Sequence, residues 1–209
     1  QVSLTPEEEV AMGLQSAPQM AEEYGGLFPD NQIQNQTKII GQSIVDVFER
    51  DVASKGIRNP YKFNFYVLKD PETVNAFALP GGQIFITYGL LRRLTSKDQL
   101  AGVLGHEVGH VIHRHSSVQM AKTDFIQGLT GAVTAASGDM GTAQIANSVA
   151  QARILKYGRN DELQSDEFGI KYLIKAGYNP AAMIDVMNIL EQASGGAQRD
   201  EFMSSHPSP

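Results

Sequence analysis

The sequence predicts a helix-rich α+β domain with a small β-sheet, and three observations carry that reading. Several long stretches space their apolar residues three and four apart, short runs between residues 62 and 87 read as strands, and glycine and proline clusters punctuate the chain. The 209 residues are enough for one domain with a real core. No repeat, low-complexity tract or linker divides them, so residues 1–209 are read as a single domain.

Ser3-Leu4-Thr5-Pro6 followed by Glu7, Glu8 and Glu9 has the cap, the proline and the acidic first turn of a helix start. That helix runs to about Glu23 and stops at Gly25-Gly26. Gln32 to Ser54 is a second amphipathic helix with Ile33, Ile40, Ile44, Val47 and Phe48 on its inner side, ended by Gly56 and Asn59-Pro60. Lys62–Leu68 alternates and is rich in aromatics, which marks a strand. Asn75–Leu79, Pro80-Gly81-Gly82 and Gln83–Thr87 read as strand, tight turn, strand.

Thr95 and Ser96 can cap the next helix, with Asp98 and Gln99 placed to complete a capping box. Leu100, Val103, Leu104, Val108, Val111 and Ile112 then cover much of the helix circumference, so this helix is expected at the centre of the molecule. Gly102, Gly105 and Gly109 each weaken it by about 1 kcal/mol relative to Ala. A second helix or a substrate-binding strand is therefore expected to pack closely there. Further helices are expected at Thr123–Ala136, Thr142–Tyr157, Asp161–Lys175 and Pro180–Ala193, with Gly177-Tyr178-Asn179-Pro180 as stop and restart and Gly195-Gly196 as the last stop.

A net charge of −6 and the lack of any basic run argue against nucleic-acid binding. The absence of cysteine excludes a disulfide scaffold, Cys-ligated zinc and the Cys-plus-H-E-x-x-H arrangement of peptide deformylases. No stretch approaches the roughly 20 apolar residues of a membrane span. The chain begins at Gln1 and is expected to be a trimmed or processed product, so the lack of a leader says nothing about export.

The chemistry is concentrated in His106-Glu107-Val108-Gly109-His110, an H-E-x-x-H signature in the central helix. Residues four apart stand one turn above each other, so both imidazoles can reach one metal ion, with Glu107 facing the same cleft. Two His ligands and a non-ligating carboxylate are what a zinc hydrolase needs; the bland alternative is an ordinary helix with two satisfied surface histidines. A third ligand is required. The metzincin extension would need Gly at position 113 and His at position 116, where this chain has His113 and Ser116. His113 lies too far along the axis to share the ion, and His115 is read in the same way, as a surface residue or one behind the ligands. A Glu on a separate helix is the other solution, and Asn160-Asp161-Glu162 through Asp166 offers it. Glu162 can bind zinc while Asp166, four residues on and on the same face, accepts a proton from a ligand His. The competing reading is that Asp161 and Glu162 merely complement the helix dipole behind an Asn160 cap. Glu167, the nearest rival ligand, points about 100° away from Asp166.

His106–His110 followed by Glu162-x-x-x-Asp166 resembles the HtpX-like and CAAX-prenyl-protease-like family of gluzincin zinc metallopeptidases, and the whole chain resembles its soluble bacterial, BepA-type branch. Asn75-Ala76-Phe77-Ala78-Leu79-Pro80-Gly81-Gly82 is similar to the family's substrate-strand segment, Ile86–Leu91 to the element after it, and Arg114-His115 to the end of its signature helix. Ser205-His206-Pro207 resembles the His-Pro motif that approaches the active site. The family pattern continues beyond it to an Arg, whereas this chain stops at Pro209.

The resemblance implies a zincin-like domain whose edge strand flanks the active-site helix, one zinc per chain, and endopeptidase action on extended or unfolded polypeptides. It also implies a periplasmic or otherwise exported location in a bacterium, a part in envelope protein quality control, and envelope proteins as partners. On that reading Glu107 is the general base, and Asn75, Ala76, Phe77 and Ala78 pair with an extended substrate through main-chain hydrogen bonds. His206 is either an oxyanion donor or a fourth zinc ligand that blocks the site, with Tyr157 and Arg159 as weaker donors. Two rivals stand beside it: a zinc-containing, chaperone-like module that holds polypeptides without cutting them, and an enzyme hydrolysing a non-peptide amide.

Overall fold

The computed structural model describes residues 4–121, 156–194 and 201–206. Helix α1 (Pro6–Glu23) begins in a reciprocal cap, in which Thr5 Oγ1 accepts from the Glu8 amide and the Glu8 carboxylate from the Thr5 amide. Helix α2 (Asn31–Ala53) is capped by Asp30, whose carboxylate accepts from the amides of Gln32 and Ile33. Strands β1 (Asn64–Leu68), β2 (Ala76–Leu79) and β3 (Gln83–Thr87) form a sheet of order β1-β3-β2. β1 runs parallel to β3 and β2 antiparallel to it, which leaves β2 at an edge. Gly81 and Gly82 turn the β2–β3 hairpin at φ 82° and 112°, values that L side chains rarely adopt. Gly81 also lies against the α1 backbone at Glu9 and Val10, where a Cβ would collide.

Thr87 ends β3 and caps the short helix α3 (Tyr88–Leu91), which is too brief to show a sequence period. Helix α4 (Lys97–Ile112) starts at Ser96, whose hydroxyl accepts from the Gln99 amide, and is buried from Gln99 through Val111. Residues 115–121 are helical again after a break at His113-Arg114. Helices α5 (Arg159–Ala176), α6 (Ala182–Ser194) and α7 (Phe202–Ser205) complete the described chain. The expected helix at Thr123–Ala136 lies outside the described residues, as does most of Thr142–Tyr157. The end of the latter is corrected: Lys156 and Tyr157 are not helical, because the Tyr157 amide bonds the Ser205 carbonyl at 3.0 Å instead of a residue one turn back. Helix α7 was not expected from the pattern.

The main core joins α2, the sheet, α4, α5 and α6 through Ile44, Phe48, Val67, Ile84, Ile86, Leu104, Val108, Leu173 and Leu190. On the other side of the sheet, Met20 of α1 and Tyr24 at its C-terminal cap cover Leu68, Leu79 and Phe85. The glycines of α4 meet helices. A Cβ on Gly109 would stand 2.9 Å from Ser165 Cα, one on Gly105 3.1 Å from Leu173 Cδ1, and one on Gly169 3.3 Å from the His106 amide nitrogen. Close approach of α4 and α5 is thus built into both sequences. Gly109→Ala gains helix propensity of about 1 kcal/mol, yet its methyl meets the α5 backbone. The variant is expected to lose about 1–3 kcal/mol net, as overpacked cores do, and to bind metal more weakly. Denaturant melts and chelator competition check both.

Candidate metal centre and active site

Helix α4 presents His106 and His110 one turn apart, and α5 brings Glu162 opposite them. The two His Nε2 atoms lie 2.9 Å apart, Glu162 Oε2 lies 3.5 Å from His106 Nε2, and Glu162 Oε1 lies 3.5 Å from His110 Nε2. His206, at the end of α7, adds a fourth donor, and one ligand atom from each of the four residues lies within 4.8 Å of the others. Ligand atoms on a tetrahedral zinc are separated by roughly 3.3 Å, given bonds of about 2.0–2.1 Å, so the spacing suits one ion. All four residues are buried.

Orphaned atoms mark the same place. Both carboxylate oxygens of Glu107, Oε1 of Glu162 and Nε2 of His206 are buried with no hydrogen-bond partner among the described residues. Two buried carboxylates and three converging imidazoles call for a cation, and the residues fit zinc. Burial pushes the Glu107 carboxyl up to about 8, with His106 opposing and Glu162 adding. Burial works against protonation of His106, but Asp166 and Glu162 outweigh it and raise that imidazole to about 10. Burial, reinforced by His106, holds His110 well below the usual histidine range. A proton held on His106 stands where a metal cation would place charge.

Asp166 is one turn along α5 from Glu162, and its Oδ1 lies 2.8 Å from His106 Nδ1. The donor is the His106 Nδ1–H, which leaves Nε2 bare for a metal. Asp166→Ala is expected to weaken metal affinity about 10–100-fold, read by chelator competition. An unchanged affinity would remove Asp166 from this role.

The other sequence-derived residues fall on either side of the centre. His113 Nδ1 lies 2.9 Å from the Gly109 carbonyl, a helix-end contact away from the metal cluster. Glu167 and Arg159 are exposed. Tyr157 is buried; its ring stacks 4.0 Å from that of His110, and its hydroxyl bonds Ser116 Oγ at 2.8 Å. On β2, the Thr87 amide bonds the Asn75 carbonyl and the Gly82 amide bonds the Leu79 carbonyl, so the alternating groups of Ala76 and Ala78 face away from β3. Ser116 Oγ donates to the Ala78 carbonyl at 3.3 Å. The Asn75 side chain donates through Nδ2 to Glu201 at 3.2 Å and to the Tyr24 hydroxyl at 3.4 Å, which fastens β2 to the segment leading into α7. The Phe202 amide bonds the Val74 carbonyl at 3.2 Å and strengthens that link.

The profile of peptidase family M48 matches residues 41–209. The chain belongs to peptidase family M48. Among curated relatives, the M48 chain is 32% identical over 164 residues to the mitochondrial metalloendopeptidase OMA1 of Schizosaccharomyces pombe, covering 78% of this chain and 48% of that one. It is 30% identical to the β-barrel assembly-enhancing protease of Escherichia coli, covering 70% of this chain and 32% of the relative. Metalloprotease YcaL of the same organism is also 30% identical, over 71% of this chain and 58% of its own. The M48 chain thus spans about a third to somewhat over half of the relatives it matches. No helix among the described residues is long and apolar enough to cross a membrane.

Proposed function

We propose that this M48 chain is a zinc-dependent endopeptidase that cleaves extended or unfolded polypeptides, with one zinc held by His106, His110 and Glu162. The observation that carries the reading is the placement of Glu107, a buried carboxylate with no hydrogen-bond partner among the described residues, beside three converging metal donors. Zinc, when bound, supplies a water of lowered pKa, near 7 in the best-known cases, and polarises the scissile carbonyl. Glu107 accepts the proton of the attacking water and delivers it to the departing amine. Asp166 holds His106 in the tautomer that offers Nε2. Substrate lies along β2, where the outward main-chain groups of Ala76 and Ala78 give affinity with little sequence selectivity, flanked by Asn75 and Phe77. By likeness to the β-barrel assembly-enhancing proteases, the setting is the bacterial envelope, with the periplasm as location and envelope proteins as partners and substrates.

His206 has the position of a fourth ligand rather than a distant donor. Its Nε2 lies 3.6 Å from Glu107 Oε1, and its ring lines, with His106, Glu162 and Phe202, a pocket continued by Val103, Met183, Val186, Met187 and Leu190. On this reading, which its place among the donors supports, His206 restrains the site and a substrate enters when it is displaced. His206→Ala is expected to raise turnover of an unfolded protein such as casein. A fall of about 10²–10³-fold would instead mark an oxyanion donor, and unchanged kinetics would reject both roles. Zinc analysis joined to casein cleavage tests the proposed function itself. One equivalent of zinc without cleavage, in the native chain and in His206→Ala, would favour a chaperone-like binding module.

A further inference from the structure

His115 is a buried histidine that the peptidase chemistry above does not use. Its Nδ1 lies 2.9 Å from His110 Nδ1, and its Nε2 lies 2.9 Å from Gln164 Oε1 on α5. Ser165 Oγ stands 3.4 Å from the same Nδ1, and Asp161 Oδ1 3.8 Å from Nε2. His115 is 4% exposed. A continuous α4 could not make this contact, because five residues beyond His110 is a turn of roughly 500°, about 140° away from its face. The helix instead breaks at His113-Arg114, where Arg114 has a φ of 61° and changes the course of the chain. That conformation is held by hydrogen bonds from Arg114 to the buried Glu9 carboxylate at 2.9 and 3.0 Å and to the Leu4 carbonyl. The break delivers His115 behind His110.

We propose that His115 is a positioning residue that acts through His110, fixing its tautomer and ring orientation for the metal by a relay from His110 Nδ1–H to His115 Nδ1 and from His115 Nε2–H to Gln164 Oε1. The direction of the relay follows from what His110 must do. If His115 Nδ1 carried the proton, it would donate to His110 Nδ1 and leave the His110 hydrogen on Nε2, where the metal has to bind. With Gln164 Oε1 accepting from His115 Nε2–H, His115 Nδ1 is bare and His110 offers Nε2 as a lone pair. Helix α5 thereby supports both ligand histidines, His106 through Asp166 and His110 through Gln164 and His115, from residues flanking Glu162.

The inference rests on the reading of the site as a zinc centre, and its test separates the two. In the full chain, His115→Asn keeps an amide oxygen near the Nδ1 position, whereas His115→Gln reaches the Nε2 position and leaves His110 Nδ1–H without its acceptor. Zinc affinity by chelator competition, the visible absorption of the Co²⁺-substituted proteins and the melting temperature of the metal-free proteins are compared. His115→Gln is expected to bind zinc roughly 10–100-fold more weakly with an altered Co²⁺ spectrum, while His115→Asn keeps both close to native. Equal affinities and spectra in Asn and Gln variants would overturn the relay, as would equal losses in both that track a lowered metal-free melting temperature. A native chain that takes up no stoichiometric zinc would instead overturn the zinc reading, and the relay with it.

Discussion

Glu107→Gln is expected to abolish peptide hydrolysis while zinc stays bound and the fold stays intact. General acid–base catalysis by a positioned side chain contributes about 10²–10⁴-fold, and Glu107 is the buried carboxylate beside the metal donors that makes no hydrogen bond of its own among the described residues. Glutamine has the same shape, so packing around the fully buried side chain is kept. Its amide cannot take a proton from water. Zinc content by elemental analysis, thermal melts and casein turnover are the three readings, and near-native turnover would remove Glu107 as the base. A second signature comes from pH. Because burial raises the Glu107 carboxyl from 4.5 to about 8 in the fold, its protonated form is the one that suits the folded chain. In chelator-treated protein that contribution is present below pH 4.5 and is lost as pH rises through about 8. The Gln variant is always neutral at this position, so its metal-free stability should fall less across that window.

The parts of this site that were legible in the sequence are those set by one helix at a time. His106 and His110 share a face because any α-helix puts them there, and Glu162 and Asp166 share theirs for the same reason. Gly105 and Gly109 announce a close neighbour, a helix or a strand, and the structure supplies a helix with Gly169 across from them. The sequence leaves His115 open between the surface and a place behind the ligands, because the outcome depends on Arg114, a residue with no local signal for a positive φ. The ion pair with Glu9, more than a hundred residues earlier, and the hydrogen bond to the Leu4 carbonyl hold that conformation. Asn75 was read for its backbone, whereas its side chain ties β2 to Glu201 and Tyr24, a link between three distant segments that no periodicity reports. Tyr157 was extended into a helix by pattern, yet its amide is taken by Ser205. The four-residue helices α3 and α7 are shorter than any hydrophobic period can reveal.

Glu162→Ala is expected to cost more zinc affinity than any change behind the ligands, exceeding the roughly 10–100-fold loss assigned to Asp166 and His115. Three protein ligands are the minimum for a catalytic zinc, and among the described residues the metal-donor group holds no other carboxylate that could replace Glu162. Folding and binding can be read apart. Burial raises the Glu162 carboxyl above its ordinary range, with the contact to His106 opposing, so the two effects of its charge on the metal-free fold act against each other. Bound zinc adds RT ln(1 + [Zn]/Kd) to stability, about 2.7 kcal/mol when free zinc is a hundredfold above Kd. The native chain should therefore gain melting temperature with zinc at a concentration where Glu162→Ala gains little, each protein being compared with itself in chelator. Glu167→Ala, at an exposed position on the same helix, serves as the control and should behave as native. Equal zinc-dependent stabilisation of native and Glu162→Ala proteins would take Glu162 out of the metal site and reopen the choice of third ligand, with His206 the remaining donor in reach.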